Sequence, residues 1–148
     1  MQLTVHFARA EFERSDWAAR NGIDNTVPDA LLPNLQRTAE LLEAVRRAIG
    51  VAIHISSGYR SPPVNAAIGG ATNSAHMEAR AADINADGLT PRQLASYIAG
   101  STIAFDKVIL EFAQWVHVQV ERSGETPRRQ VLTAQHSPTG TVYVAGLS

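Results

Sequence analysis

Between residues 28 and 49 the apolar positions Leu31, Leu32, Leu35, Ala39, Leu42, Val45 and Ile49 recur at helical spacing. Arg37, Glu40, Glu43, Arg46 and Arg47 supply most of a polar side. Pro28 or Pro33 suits the first turn, where a missing N–H costs little, and Gly50 suits the stop. Val51 to Ser56 alternates and is β-branched, which predicts a strand; residues 81–85 predict a shorter one. Thr90-Pro91-Arg92-Gln93 has the form of a capping box with proline at its first helical position, opening a helix that runs to Ala99 and ends at Gly100. Residues 107–112 and 115–121 predict two strands around a tight Ala113-Gln114 connection. Residues 129–134 and 141–144 predict two more, joined by a turn around Ser137-Pro138-Thr139-Gly140. Residues 1–27 read as irregular with short helical pieces, anchored by Phe7, Phe12 and Trp17. Residues 57–80 show no period and read as one long loop, a kind of segment that more often serves function than connection. Helices come early, with one more in the middle, and strands cluster late. That order predicts an α+β fold with a largely antiparallel sheet and helices on one side, in one domain spanning 1–148.

Composition narrows the chemistry. Hydrophobic residues make up 45% of the 148 and charged residues 18%, a mix suited to a packed core. Thirteen basic and fourteen acidic side chains give a formal net charge of −1, which argues against a strong grip on nucleic acid or anionic lipid. Cysteine is absent, so disulfides, thiolate metal sites and a thiol nucleophile are excluded. No stretch approaches the roughly 20 apolar residues of a membrane span, so no membrane insertion is expected. The first twenty residues carry seven charged or histidine positions and no apolar run, so no signal peptide is readable and synthesis in the cytoplasm is the expectation.

Three polar residues stand where a purely structural chain would not need them. His76 lies in the long loop, Asp83 in the apolar run Ala81-Ala82-Asp83-Ile84, and His117 in Trp115-Val116-His117-Val118-Gln119-Val120. Strand alternation puts Val116, Val118 and Val120 on a core face and His117 on the other, with Trp115 and Gln119. Asp83 likewise opposes Ala82 and Ile84, so both polar groups can point into one groove. Two imidazoles and a carboxylate would give three zinc ligands with a fourth position left open, as catalytic sites require. His6, His54 and His136 have no partner spacing and read as structural or surface residues, and Arg122, Arg128 and Arg129 read as a solvated face.

The blocks Ser57-Gly58-Tyr59-Arg60-Ser61-Pro62, Asn65, Gly69-Gly70, Ser74-x-His76-x-x-Ala79-x-Ala81-x-Asp83-Ile84 and Trp115-Val116-His117-Val118 occur in this order. Together they resemble the M15 family of zinc peptidases, the D-Ala-D-Ala carboxypeptidase and phage endolysin group that shares its fold with the Hedgehog signalling domain. The resemblance implies a zinc cofactor held by His76, Asp83 and His117, and a charge-stabilising Arg60. It implies that Ser74 holds substrate or its own loop and that Trp115 walls the site. The implied substrate is bacterial peptidoglycan, cut at a D-Ala-D-Ala or L-Ala-D-Glu bond; the sequence leaves the oligomeric state open, with a monomer favoured. The implied setting is a phage or prophage lysin, released by a holin or carried on a virion, with no separate wall-binding module.

Two departures matter. Ala79 replaces the family glycine three residues after the first histidine, so the turn there is expected to differ slightly. Many members place an acid three residues before the last histidine, where this chain has Gln114, which cannot take a proton. Glu111 is then the expected general base, with Glu78 as fallback. A two-residue hairpin turn would place Leu110 opposite His117 and aim Glu111 away; a bulge or longer turn would bring it back. The glutamine also leaves open a non-catalytic, zinc-binding phage structural or binding domain of the same fold.

Overall fold

In the computed structural model, which describes residues 1–148, the apolar stripe beginning at Leu31 becomes helix α3 (Leu32–Ile49). A single 3-10 turn (Asp29–Leu31) leads into it, Pro33 sits in its first turn, and Gly50 closes it in the left-handed conformation at φ 71°. One position departs from the predicted polar side. Glu43 is buried and accepts hydrogen bonds from the His6 backbone N–H at 2.8 Å and the His6 ring at 2.7 Å. Burial alone would raise its carboxyl pKa, but the contacts with His6 override this and hold it below the usual range. The pair docks the N-terminal segment, with its short helices α1 (Arg9–Glu13) and α2 (Asp16–Asn21), onto α3.

Residues 57–80 are more ordered than their lack of period suggests. Pro62–Ala67 forms helix α4, with proline in its first turn, and Ala75–Glu78 forms a 3-10 turn. Both are too short for a 3.6-residue pattern to register. Ala79 ends the 3-10 turn in the left-handed region at φ 57° and ψ 27°. The alanine therefore keeps a glycine-like turn geometry instead of altering it, at some backbone cost.

Six strands form one sheet in the order β1-β2-β4-β3-β5-β6. They are β1 (Ile53–Ser57), β2 (Ala81–Ala86), β3 (Lys107–Glu111), β4 (Trp115–Gln119), β5 (Gln130–Ser137) and β6 (Gly140–Ala145). Neighbours are antiparallel except β3 and β5, which run parallel. The capping box of Thr90 and Gln93 opens α5 (Pro91–Ala99). Leu35, Leu42 and Val45 of α3 and Leu94 and Ile98 of α5 share one core with Ile84, Val108, Leu110, Val116 and Val118. The alternate residues of β2, β3 and β4 face away from that core, and Asp83 and His117 are among them.

The β3–β4 hairpin corrects the expected register. Its connection has three residues, not two, with Phe112 and Ala113 both in the left-handed region at φ 54° and 55°. Ile109 therefore opposes His117, and Glu111 opposes Trp115. Alternation then puts Glu111, Ile109 and Lys107 on the His117 face.

Candidate metal site

Register brings two of the three candidate ligands together directly, since Asp83 of β2 is the cross-strand partner of His117 of β4. His76 arrives from the 3-10 turn, where the Ser74 hydroxyl accepts its backbone N–H at 3.2 Å. All three are buried, and their ligand atoms lie within 4.8 Å of one another. Asp83 Oδ1 is 3.4 Å from His76 Nε2 and 3.3 Å from His117 Nδ1. Ligands held tetrahedrally about 2.0–2.1 Å from zinc stand ~3.3 Å apart, so the spacing fits such an ion.

The outer hydrogen bonds decide which nitrogens carry protons. His76 Nδ1 lies 2.7 Å from the Gly58 carbonyl oxygen, which can only accept, so Nδ1 donates and Nε2 turns a lone pair toward Asp83. The Gln119 amide nitrogen donates to Asp106 Oδ2 at 3.0 Å, which orients its oxygen toward His117 Nε2 at 2.8 Å. His117 Nε2 is therefore the donor and Nδ1 the lone-pair nitrogen. Two nitrogen lone pairs thus converge on Asp83 Oδ1, a buried oxygen that accepts no hydrogen bond. Three acceptors facing one another without a donor suit a cation. Burial opposes ionising Asp83, but the two imidazoles, when protonated, outweigh it and hold the carboxyl far below its ordinary range. Burial also pulls the His76 pKa down. At His117 burial pulls the same way, yet Asp83 pushes it up, so a proton competes with a cation there.

Arg60 and Glu111 flank this triad. The Arg60 guanidinium reaches Asp83 Oδ2 at 3.1 Å and the Ser57 hydroxyl at 3.0 Å, leaving its remaining N–H groups for a ligand. Glu111 is half-buried in the same cleft, and burial followed by the Asp83 charge raises its pKa, as suits a general base. The cleft encloses about 720 Å³, and Ser74 is also in its lining. Trp115 stacks edge-on against Phe112 at the hairpin turn and is not among the lining residues. Gln114 is exposed in that turn. Glu78 is engaged by Arg80 at 2.7 Å and Arg122 at 3.3 Å.

Several lining residues were not legible from spacing. Arg122 and Arg128, read as part of a solvated face, line the cleft, while Arg129 instead covers the Phe105 ring. Lys107, Gln119 and Tyr143 line it too. Alternation along 115–120 places Gln119 beside His117, but its bond to Asp106 depends on the hairpin register.

Two comparisons with known proteins place the chain among peptidases. The Peptidase M15 family model matches residues 5–119, which include the whole triad, Arg60 and Glu111. The chain is also similar to the zinc D-Ala-D-Ala carboxypeptidase of Streptomyces albus G, with 36% identity over 85 residues. That match covers 55% of this chain and 32% of the relative, so the chain spans about a third of the relative's length.

Proposed function

This chain belongs to the Peptidase M15 family, and from that premise we propose that it is a zinc-dependent peptidase that hydrolyses an amide bond in the stem peptide of bacterial peptidoglycan. The observation that carries the reading is the donor-free convergence of His76, Asp83 and His117 beside Glu111 and Arg60 in one cleft. His76 Nε2, His117 Nδ1 and Asp83 would hold the ion. When bound, zinc supplies Lewis acidity that polarises a carbonyl and acidifies water. Glu111 accepts the proton of the attacking water and returns it to the leaving amine nitrogen. Arg60, permanently charged and already oriented by Asp83, stabilises the negative charge developing on the carbonyl oxygen. Ser74 keeps the His76 turn in place. The substrate class is supported by the similarity to a D-Ala-D-Ala carboxypeptidase. A lysin role for a phage or prophage, acting on the wall after holin release or from a virion, belongs to the same proposal.

Incubating the zinc-loaded protein with purified peptidoglycan tests this. New free amino groups should appear, and mass spectrometry of the products identifies the bond. Glu111→Gln should lower kcat by roughly 10²–10⁴-fold while zinc content stays unchanged. Absence of product from the wild type, or equal turnover by the variant, would overturn the proposal.

A further inference from the structure

A second cavity, of about 250 Å³, adjoins the metal cleft, and Arg60 lines both. Its walls come from the α1–α2 junction, the end of β1 and α4. Trp17, Val64 and Ile68 give it apolar surface, and Ile68 is 50% exposed there although large and aliphatic.

The polar groups of this cavity are uncommitted. Arg14 and Asp16 are exposed and form no ion pair with each other or with any other residue. Arg14 gives one N–H to the Ile55 carbonyl at 3.1 Å, which leaves the rest of its guanidinium free. The Ser15 hydroxyl accepts from the Ala18 N–H at 3.2 Å and the Ser57 hydroxyl accepts from Arg60 at 3.0 Å, so the proton of each is free to donate. The formal charges cancel, Arg14 against Asp16 and Arg60 against Asp83. A charged ligand therefore gains no net attraction. A peptide backbone finds no strand edge to join either. β1 is the edge strand, and at the cavity its outer side is taken by Arg14 on Ile55 and by the Tyr59 N–H, which donates to the Phe12 carbonyl at 2.8 Å.

What fits is a neutral ring with C–H groups on its face and hydroxyls around its rim. The face packs on Trp17, while hydroxyls, each both donor and acceptor, meet the Arg14 donors, the Asp16 acceptor and the two serines. The volume lies just below the ~300–1,000 Å³ of drug-sized sites, so the cavity takes one such ring and not a chain of them. We propose that it is a saccharide subsite for a single N-acetylhexosamine unit, with the acetamido methyl against Val64 and Ile68. This deepens the peptidase reading and rests on it for the identity of the polymer: peptide lies in the metal cleft, and the sugar that carries it lies beyond Arg60.

The test titrates a peptide-free trimer of N-acetylglucosamine onto the full chain and follows tryptophan fluorescence in Trp115→Phe protein, where Trp17 is the one remaining tryptophan. Millimolar trimer should change the signal with or without zinc, and the glucose trimer, which lacks acetamido groups, should bind about tenfold more weakly. By calorimetry, Trp17→Ala should lose about tenfold in affinity for the trimer. Asp16→Ala, at an exposed side chain that accepts no hydrogen bond, should also bind more weakly, and it carries the test if Trp17→Ala fails to fold. No binding of the trimer, or binding unchanged in Asp16→Ala and in folded Trp17→Ala, would overturn the subsite. Cleavage separates this from the peptidase reading. Wild-type protein should cut a glycan-linked stem in preference to the free stem peptide, and Trp17→Ala should cut the free peptide as wild type does. Cleavage of peptidoglycan without binding of the trimer would sink the subsite alone, whereas binding without any cleavage would sink the peptidase reading and leave the subsite standing.

Discussion

Gln119 governs His117 without touching the triad's open centre. Its oxygen accepts from Nε2, its nitrogen is committed to Asp106, and so the imidazole is held in the tautomer that presents Nδ1. Removing that partner leaves the ring free to rotate or to protonate at the wrong nitrogen. Gln119→Leu should therefore weaken zinc binding roughly 10–100-fold, as measured by competition with a chromogenic chelator. Unchanged affinity would show that packing alone orients His117. At this scale much of the site was legible. The alternation of valines fixes the face of His117, and the motif blocks name His76, Asp83 and Arg60. What was hidden is pairing across the chain. Asp106 and Gln119 are partners because β3 and β4 fold back on one another, and Glu43 is buried because His6 arrives from the far end of the sequence.

Among the elements, the turns set the chemistry more than the strands do. Two non-glycine residues in the left-handed region lengthen the 112–114 connection, and that one extra residue moves Glu111 onto the metal face. Nothing in Phe112-Ala113 signals positive φ, so the register was not readable from composition. Gly58 is a second such point. A Cβ there would stand 2.7 Å from both the Cα and the carbonyl oxygen of Phe12, and the Gly58 carbonyl is the acceptor that fixes His76. Because those neighbours are backbone, they can yield only if α1 shifts off β1. Gly58→Ala should cost about 1–3 kcal/mol of stability by overpacking. It should also lower zinc affinity, since the His76 acceptor moves with the strand end. Chemical denaturation and chelator competition on the same sample check both effects, and a variant with wild-type midpoint would refute the close-packing argument. The start of β3 offers a third case. Asp106 accepts two hydrogen bonds from the Arg128 guanidinium, at 3.0 and 2.8 Å, tying β3 to the segment that enters β5. The Arg128 contact, with Gln119, holds the Asp106 carboxyl far below its ordinary range. A carboxyl depressed in the folded state adds stability above its unfolded pKa of about 3.9, and that contribution is lost as pH falls toward the folded value. Asp106→Asn should therefore be less stable than wild type at pH 7 and lose less stability between about pH 4 and pH 2, as read from urea midpoints across that range.

For the whole molecule, the order of helices and strands predicted the layered α+β architecture, but the sheet contains one parallel pair that the order did not reveal. β5 runs beside β3 because the chain crosses from the end of β4 through residues 120–129 before re-entering the sheet. No periodicity records such a crossing. The resulting sheet sets β2 beside β4, with the turn carrying His76 against its open face, so His117 meets a pair of ligands that stand more than thirty residues before it in sequence. Without a cation, two lone pairs and a carboxylate oxygen face one another in a buried space, which weakens the joint between those segments. A cation reverses the sign of that interaction, and because the unfolded chain cannot bring the ligands together, its binding energy adds to folding stability. At a free zinc concentration about 1,000 times the dissociation constant the gain is about 4 kcal/mol. At ~2–4 °C per kcal/mol for a domain near this size, the melting temperature should rise by roughly 8–16 °C on adding zinc and fall back with chelator. His76→Ala should abolish most of the rise while leaving the sheet intact, because the 3-10 turn is still held by Ser74 and by the Thr38 hydroxyl, which donates to the Ala79 carbonyl at 2.8 Å. An equal rise in His76→Ala would mean that zinc stabilises the fold from some other place, and the triad would lose its claim to the metal.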